Sequence, residues 1–396
     1  MVASPAALQP LRLGIFVTHP IQYFAPLWRS LAATPGLELT VHFFSDHSVR
    51  GGLDAGFGVG VAWDVPLLEG YRHEFVSRQA RLAAPRSVAL PQARRHISRR
   101  RFDTVMIHGY THRFEVQVVR AARANGVRTL MRGEFSDVPR RGGRSRLQRL
   151  ARDLYLRWFY RHVDAFCYIG AEARQHLCRL GIPETRMFFA PYSVDTALFE
   201  AQRLAHSRSA ARRALGIAED QLVLLFSGKL IPRKAPLLFV EAVRRLRGSQ
   251  HVVVVIVGDG ELRPAVTEAG TSVLGDRLRL AGFVNQSQLG GYYAAADVFV
   301  LPSHYETWGL VVNEAMQFGL PAVVSSAVGC RRDLVLEGRT GMVFEQGDAA
   351  ALAACLQRFV DTPGLAQRLG AAARQHIAGY STAATVAGVR RALGVE

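Results

Sequence analysis

The hydrophobic positions of this chain fall into short apolar runs separated by longer amphipathic stretches. Residues 11–17, 37–44, 102–108, 127–132, 164–169 and 186–190 form one series of runs, and 221–226, 251–257, 278–284 and 298–301 form a second. Such runs suit parallel strands buried on both faces. Between them, apolar residues at helical spacing predict helices over 21–33, about 237–247, about 309–319, 348–360 and 365–378. Strand–helix alternation continues to about 344. This order predicts doubly wound parallel sheets, whose ligands bind off the carboxyl ends of strands. Residues 45–81 are long, glycine-rich and aromatic, which predicts an irregular functional segment. The polar, Arg/Ala-rich stretch 201–217 reads as the passage from one half to the other.

The densest chemistry lies in 301–334. The strand ends at Pro302 and Ser303, and a helix opens near Gly309 and closes at Gly319, with Pro321 beyond. Glu314 shares a helical face with Leu310, Val311 and Phe318, a face that should be buried. A carboxylate there is costly unless something hydrogen-bonds it, as a ligand with hydroxyls would. The free N–H groups at the helix start, on Gly309, Leu310 and Val311, form an anion cradle. Glu306, in the preceding loop, is a second acceptor for hydroxyls.

Composition sharpens this picture. The 49 basic residues against 32 acidic ones leave a net charge of +17, which fits nucleic acid, an anionic membrane surface or anionic substrates. Only two of the basic residues are lysines, Lys229 and Lys234, and both lie in one loop after a strand. That placement suggests a site needing a compact ammonium. The four cysteines show no metal spacing and read as reduced, buried thiols. No apolar run approaches the ~20 residues of a membrane span. The start lacks a signal-peptide pattern, so a cytoplasmic location is expected.

In the first half, His19, Gln22 and Tyr23 follow the first strand, at the rim of the expected crevice, and are acceptor-side candidates. His108 stands just past a buried strand's carboxyl end, placed for a ligand or for capping the next helix, with His112 as its fallback. Arg132 and Glu134 serve either as acceptor contacts or as a structural ion pair. The stretch 140–162 is the most basic. Leu147, Leu150, Leu154, Trp158 and Phe159 recur there at helical spacing among arginines. It reads either as a helix on an anionic bilayer or as a core helix with a solvated arginine face.

The spacing Glu306–x7–Glu314, with Gly309 before it and Gly319-Leu320-Pro321 after it, resembles the EX7E signature of family 4 retaining glycosyltransferases. The segment SGKLIPRKAP resembles that family's G-R/K-x-x-x-x-K element, AGFV its base-contacting turn, and PYSVDTALF its exit from the first domain. HPIQYFAPL and WDVPLLEGY are landmarks of a bacterial subgroup associated with surface polysaccharides or glycoconjugates. The resemblance implies a GT-B α/β fold of two Rossmann-like doubly wound domains facing across a cleft. Residues 1–200 would hold the acceptor and 218–378 the nucleotide sugar, while 379–396 would return as a helix to the first domain. It further implies transfer of a sugar from a nucleoside-diphosphate sugar, UDP favoured, to a carbohydrate or lipid-linked acceptor, with retained configuration. Glu306 would hold the sugar hydroxyls, Glu314 the ribose diol, and His108 would approach the sugar from the acceptor side. Gly228 would allow a tight turn, and Gly258 a close approach under the nucleoside. Phe283 and Val284 would flank the base or pack in the core. Lys229 and Lys234 would neutralise the diphosphate, with Arg233 assisting, so no metal and no cofactor is expected. The chain departs from the family in carrying THPIQYF where a glycine pair is usual, and Gly329 alone where two glycines are usual.

Rival readings are a nucleotide-sugar epimerase or phosphorylase of the same fold, a basic nucleic-acid binder, and a non-catalytic membrane-bound scaffold. A phosphorylase needs a pyridoxal-bearing lysine, and both lysines already have a loop role. No helix-turn-helix, zinc or RNP signature supports nucleic acid. The expected location is the cytoplasm, with the inner membrane face as a further surface.

Overall fold

The computed structural model describes residues 9–54, 58–79, 88–137 and 145–395. The first eight residues, the end of the 45–81 stretch and the start of the 140–162 stretch lie outside the described residues. The chain forms two compact units. The first comprises the chain up to Arg50, residues 66–192 and everything from Thr382 on; the second comprises Gly51–Val65 and Ser193–Ser381.

The strands of the first half are β1 (Leu11–Val17), β2 (Leu37–Ser45), β3 (Gly52–Asp54), β4 (Val59–Val61), β5 (Arg72–Gln79), β6 (Thr104–Ile107), β7 (Arg128–Gly133), β8 (Ala165–Tyr168) and β9 (Met187–Phe189). Seven of them form one sheet in the order β5-β2-β1-β6-β7-β8-β9, with every pair parallel. Strand β5 was not expected. Its sequence RHEFVSRQ has no apolar run, because an edge strand pairs on one side only and is half solvated. The helix expected over 21–33 spans only Ala25–Ala32. Pro26 explains the late start, since proline lacks an N–H and is tolerated only in a first turn.

The ribbon β3–β4 belongs to the second unit. Asn285 Nδ2 donates to the Ala62 carbonyl at 2.7 Å, and the Ser287 N–H donates to the Asp64 carboxylate at 3.3 Å. The second sheet has the order β12-β11-β10-β13-β14-β15. It is built from β10 (Leu222–Ser227), β11 (Val252–Val257), β12 (Leu278–Gly282), β13 (Val298–Leu301), β14 (Ala322–Ser325) and β15 (Gly341–Phe344), again all parallel. The stretch read as a connection, 201–217, is instead integral to this unit. The helix Arg208–Ala214 carries Arg212, fully buried, whose guanidinium meets Asp297 at 2.6 Å and donates to four backbone carbonyls. Both units are therefore doubly wound α/β layers of the Rossmann-like kind that the patterning predicts.

Two further expectations are corrected. Cys167 and Cys330 are buried, but Cys178 is exposed on the outer face of its helix, and Cys355 is half-buried at the edge of the second unit's core. Phe159 does not share the outward stripe of the helix Arg146–Tyr160. Leu156, Phe159 and Tyr160 face the core, while Leu147, Leu150 and Leu154 are 74%, 57% and 60% exposed.

The final helix, Thr382–Leu393, packs within the first unit. Val389, Ala392 and Leu393 enter its core, and Thr385 Oγ1 donates to the Pro191 carbonyl at 2.7 Å. A Cβ on Gly388 would lie 2.0 Å from the Phe189 carbonyl oxygen, so only glycine lets the helix approach β9 this closely. Gly388→Val is expected to cost about 2–4 kcal/mol, the range of overpacked or displaced core elements. Urea unfolding measures it; a midpoint equal to the parent's would show that this helix is not needed for the unit's stability.

Candidate active site

In doubly wound sheets, the crevice opens where strand order reverses. In the second unit that point lies between β10 and β13. The loops leaving these two strands carry Gly228, Lys229, Arg233 and Lys234 on one side and Ser303 and Glu306 on the other. The fold therefore brings together the segments that the lysine and glutamate motifs singled out.

Glu306 is the hub. Lys234 Nζ lies 2.5 Å from its Oε1 and Arg233 Nη1 lies 3.1 Å from its Oε2. Ser303 Oγ donates to Oε1 at 3.0 Å. Glu306 is 8% exposed and Lys234 9%. Burial by itself would raise the carboxyl, but Lys234 and Arg233 outweigh it and hold Glu306 below its ordinary value. The backbone is pinned too: the Glu306 N–H donates to Ala327 O, and its carbonyl accepts from Gly329 N, both at 3.1 Å. Arg233 Nη1 also donates to the Tyr305 carbonyl at 2.9 Å. Two expectations change here. Lys234 is not a bare phosphate cation, because its ammonium is seated on a carboxylate. Arg233, given only an assisting part, is the second cation of the pair.

Glu314 lies in the helix Leu310–Gln317 and is 2% exposed, but it does not sit on the apolar stripe that its spacing predicts: Leu310, Val311 and Phe318 are half-buried, whereas residues 312–317 are buried all round the helix. Glu314 is not left for a ligand alone: Tyr293 Oη donates to its Oε2 at 2.7 Å. Sequence reasoning missed Tyr293. It lies on the separate helix Leu289–Ala295, and nothing in GGYYAA distinguishes it from its neighbour Tyr292. The helix start is fixed by Trp308 Nε1 donating to Asn313 Oδ1 at 2.8 Å, and Gly309 immediately precedes Leu310 and Val311.

Gly258 is held to glycine by its own neighbours. A Cβ there would lie 1.9 Å from the Gly228 carbonyl oxygen, and its φ is +135°. The close approach is to the neighbouring loop. Gly228 N donates to Val257 O at 2.9 Å and Gly258 N to Gly282 O at 2.7 Å, so three strand ends lie stacked. Phe283 and Val284 follow on the third of these ends, half-buried and outside the apolar core cluster. Lys229 is half-buried beside Gly228.

In the first unit the reversal lies between β1 and β6. His19, beyond β1, pairs its ring with His47 at 4.4 Å and its Nδ1 with Thr18 Oγ1 at 2.9 Å. Burial, then His47 and His112, push it down to about 4, so it is neutral at pH 7. Gln22 and Tyr23 are half-buried in the turn that follows. His108, after β6, stacks on Phe24 with centroids 4.8 Å apart. It does not cap the next helix; the Glu115 carboxylate does, accepting from the His112 N–H at 2.7 Å. Arg132, ending β7, is buried, while Glu134 is exposed. They do not form the expected ion pair among the described residues. Arg132 donates to the Pro191 carbonyl at 3.0 Å, and Glu134 hydrogen-bonds the Tyr192 hydroxyl. Among the described residues one trio, His42, Glu74 and His96, has ligand atoms within 4.8 Å of one another. Arg101 already bridges it, at 3.2 Å from Glu74 and 3.3 Å from His96.

The family model described as "Glycosyl transferase 4-like domain" matches residues 20–193, and "Glycosyl transferases group 1" matches residues 207–376. The D-inositol 3-phosphate glycosyltransferase of Geodermatophilus obscurus is 40% identical over 226 residues, 54% of this chain and 48% of that protein. Its namesake in Thermomonospora curvata is 37% identical over 230 residues, 54% of this chain and 53% of that protein. The chain thus spans about half the length of the curated relatives it matches. Anabaena HepE, solved with UDP and glucose, superposes with a TM-score of 0.72 at 14% identity, covering 97% of this chain and 99% of that one. WaaG, a glycosyltransferase involved in lipopolysaccharide biosynthesis, superposes with a TM-score of 0.65 at 16% identity over 97% and 99% of the two chains. The fold is GT-B. The chain belongs to the family 4 glycosyltransferases, whose two domain models together span nearly all of it.

The ion pair at the second unit's crevice makes a testable demand. Lys234→Met is expected to cost about 1–3 kcal/mol at neutral pH, since a buried carboxylate loses its nearest partner. Because Glu306 is held below its ordinary 4.5, the pair's stabilisation is complete above that value and is lost as pH falls through the folded one. The gap between parent and variant should therefore shrink on acidification, as urea titrations at neutral and acid pH will show. A gap independent of pH would mean that the carboxylate is not what Lys234 stabilises.

Proposed function

We propose that this chain transfers a sugar from a nucleoside-diphosphate sugar, with UDP the favoured nucleotide, to an acceptor hydroxyl, with retained configuration at the anomeric carbon. The observation that carries the reading is the Arg233–Glu306–Lys234 cluster at the β10/β13 crevice, beside the N-terminus of the helix bearing Glu314. Two cations on one carboxylate leave the cluster net positive, and Lys229 adds to it. As the anomeric C–O bond breaks, negative charge gathers on the departing diphosphate, and preorganised cations and helix-start N–H groups stabilise it. No metal is required by this arrangement. A carboxylate held down by two cations is a poor base and a poor nucleophile, so Glu306 acts by accepting from sugar hydroxyls. Glu314, oriented by Tyr293, accepts from the ribose diol. Acceptor-side contacts are His108, His19, Gln22, Tyr23 and Arg132 of the first unit. The relatives' activity on an inositol phosphate and the UDP bound by HepE support this reading, as does the involvement of WaaG in lipopolysaccharide biosynthesis for a place in polysaccharide or glycoconjugate assembly.

Calorimetry tests it. Lys234→Ala should weaken UDP binding by about ten- to a hundredfold, the loss of one charge-assisted contact, while uridine binding changes far less. Equal UDP affinity in parent and variant would remove Lys234 from the donor site.

One observation favours a membrane-bound setting. Among the described residues no helix is long and apolar enough to cross a membrane. The helix Arg146–Tyr160, however, turns Leu147, Leu150 and Leu154 outward, with Arg146, Arg149 and Arg157 exposed among them. Beside it, a cavity of about 430 Å³ is lined by Arg94, Arg120, Arg123 and Trp158. An apolar stripe rimmed by arginines suits an anionic leaflet, at about 1 kcal/mol per cation near the surface. The proposed location is the inner membrane face, where a lipid-linked acceptor would lie. Co-sedimentation with anionic vesicles at low salt, lost at high salt and with neutral vesicles, is the expected result. Absence of binding to either vesicle would point to an acceptor free in solution.

A further inference from the structure

The first unit holds a buried charge that has no counter-charge in contact among the described residues. Arg132 is 1% exposed at the end of β7. Its Nη2 donates to the Pro191 carbonyl, but Nε and Nη1 find no hydrogen-bond partner among the described residues. No carboxylate there forms an ion pair with it; Glu134 is turned to the surface and to Tyr192. The ring faces of Phe24 and Tyr192 flank the guanidinium at 5.7 and 5.0 Å. Such faces recover only part of what a desolvated cation loses.

His108 stands beside it. Both ring nitrogens are buried without a partner among the described residues, and the ring shares Phe24 with Arg132. Burial, then the charge of Arg132, push His108 down to about 3. It is therefore a neutral imidazole, with one donor and one acceptor to offer. The two groups leave adjacent strands, β6 and β7, at their carboxyl ends. That is the edge of a doubly wound sheet at which ligands bind. Of the other buried polar atoms without a hydrogen-bond partner, Trp28 Nε1 and Tyr160 Oη are single neutral groups, Asp46 Oδ1 belongs to a carboxylate that Arg50 pairs, and His42 and His96 stand beside Glu74 and Arg101. Only here do a full charge and a second polar ring lack partners together among the described residues.

A guanidinium with donors to spare is matched by a carboxylate or a phosphate. A neutral imidazole at its side can hydrogen-bond a hydroxyl of the same molecule. We propose that Arg132, assisted by His108, binds an oxyanion carried by the acceptor, so that the acceptor is an acidic, hydroxyl-bearing molecule. This rests on the reading of the first unit as the acceptor side.

The test uses the full chain, with UDP binding measured first by calorimetry. With UDP saturating, so that the second unit's cations are occupied, inorganic phosphate and acetate are titrated separately at constant ionic strength. One or both should bind the parent, and Arg132→Met should weaken that binding by about tenfold or more. Without anion, Arg132→Met should melt no lower than the parent, because it removes an unpaired buried charge while keeping the volume. Phosphate alone binding points to a phosphorylated acceptor; acetate alone points to a uronic or other carboxylic acid. Failure of both to bind the parent, or undiminished binding by Arg132→Met, overturns the site. If Arg132→Met does not fold, Arg132→Lys decides, since it keeps the charge but lacks the guanidinium fork; unchanged affinity then overturns the site. If UDP itself does not bind, the donor reading fails, and the anion titration is run without it and judged by the same outcomes.

Discussion

The pairing of Lys234 with Glu306 is the contact on which the second unit's crevice depends. It joins the loop after β10 to the loop after β13, the two strands between which the sheet changes direction. Both side chains are nearly buried, so water screens them little and their attraction is strong. Losing Lys234 does not strand the carboxylate fully, since Arg233 and Ser303 remain on it, and the cost stays at about 1–3 kcal/mol. Arg233 and Ser303 share the load, and the backbone bonds of Glu306 to Ala327 and Gly329 hold the carboxylate where the cations meet it. The cluster is therefore positioned before any ligand arrives.

Close backbone packing makes that position possible. The ends of β10, β11 and β12 stack through Gly228, Gly258 and Gly282, and a side chain at Gly258 would strike the neighbouring carbonyl. The loop carrying the lysines thus rests on backbone, not on a flexible layer of side chains. Glu314 is handled by the same logic with different parts. A carboxylate in a helix facing the core is tolerable because Tyr293 reaches it from another helix.

The two units treat buried charge differently. In the second, each buried ionic group among those discussed has a partner: Glu306 has Lys234, and Arg212 has Asp297. In the first, Arg132 has one backbone carbonyl and two aromatic faces. Partnered charge at a crevice is preorganisation, whereas a buried charge with unmatched donors costs stability.

Local chemistry made much of this legible in the sequence. Apolar runs buried on both faces marked β1 and β13 at their observed bounds and β11 to within one residue, because a parallel strand's requirement for apolar residues is met within the strand itself. The burial of Glu314 was legible too, though the face chosen for it was not, since Leu310, Val311 and Phe318 are half-buried, and the two lysines marked their loop. What only the tertiary structure decided concerns partners distant along the chain. Strand β5 is polar because it lies at an edge. The seating of Lys234 on Glu306, the bond from Tyr293 to Glu314, the inward turn of Phe159 and the close fit of Gly388 against β9 all depend on which surfaces meet. A side chain's type states what it can bond to, but only the packed chain states what stands within reach of it, and at Arg132 that difference leaves a cation with donors unspent.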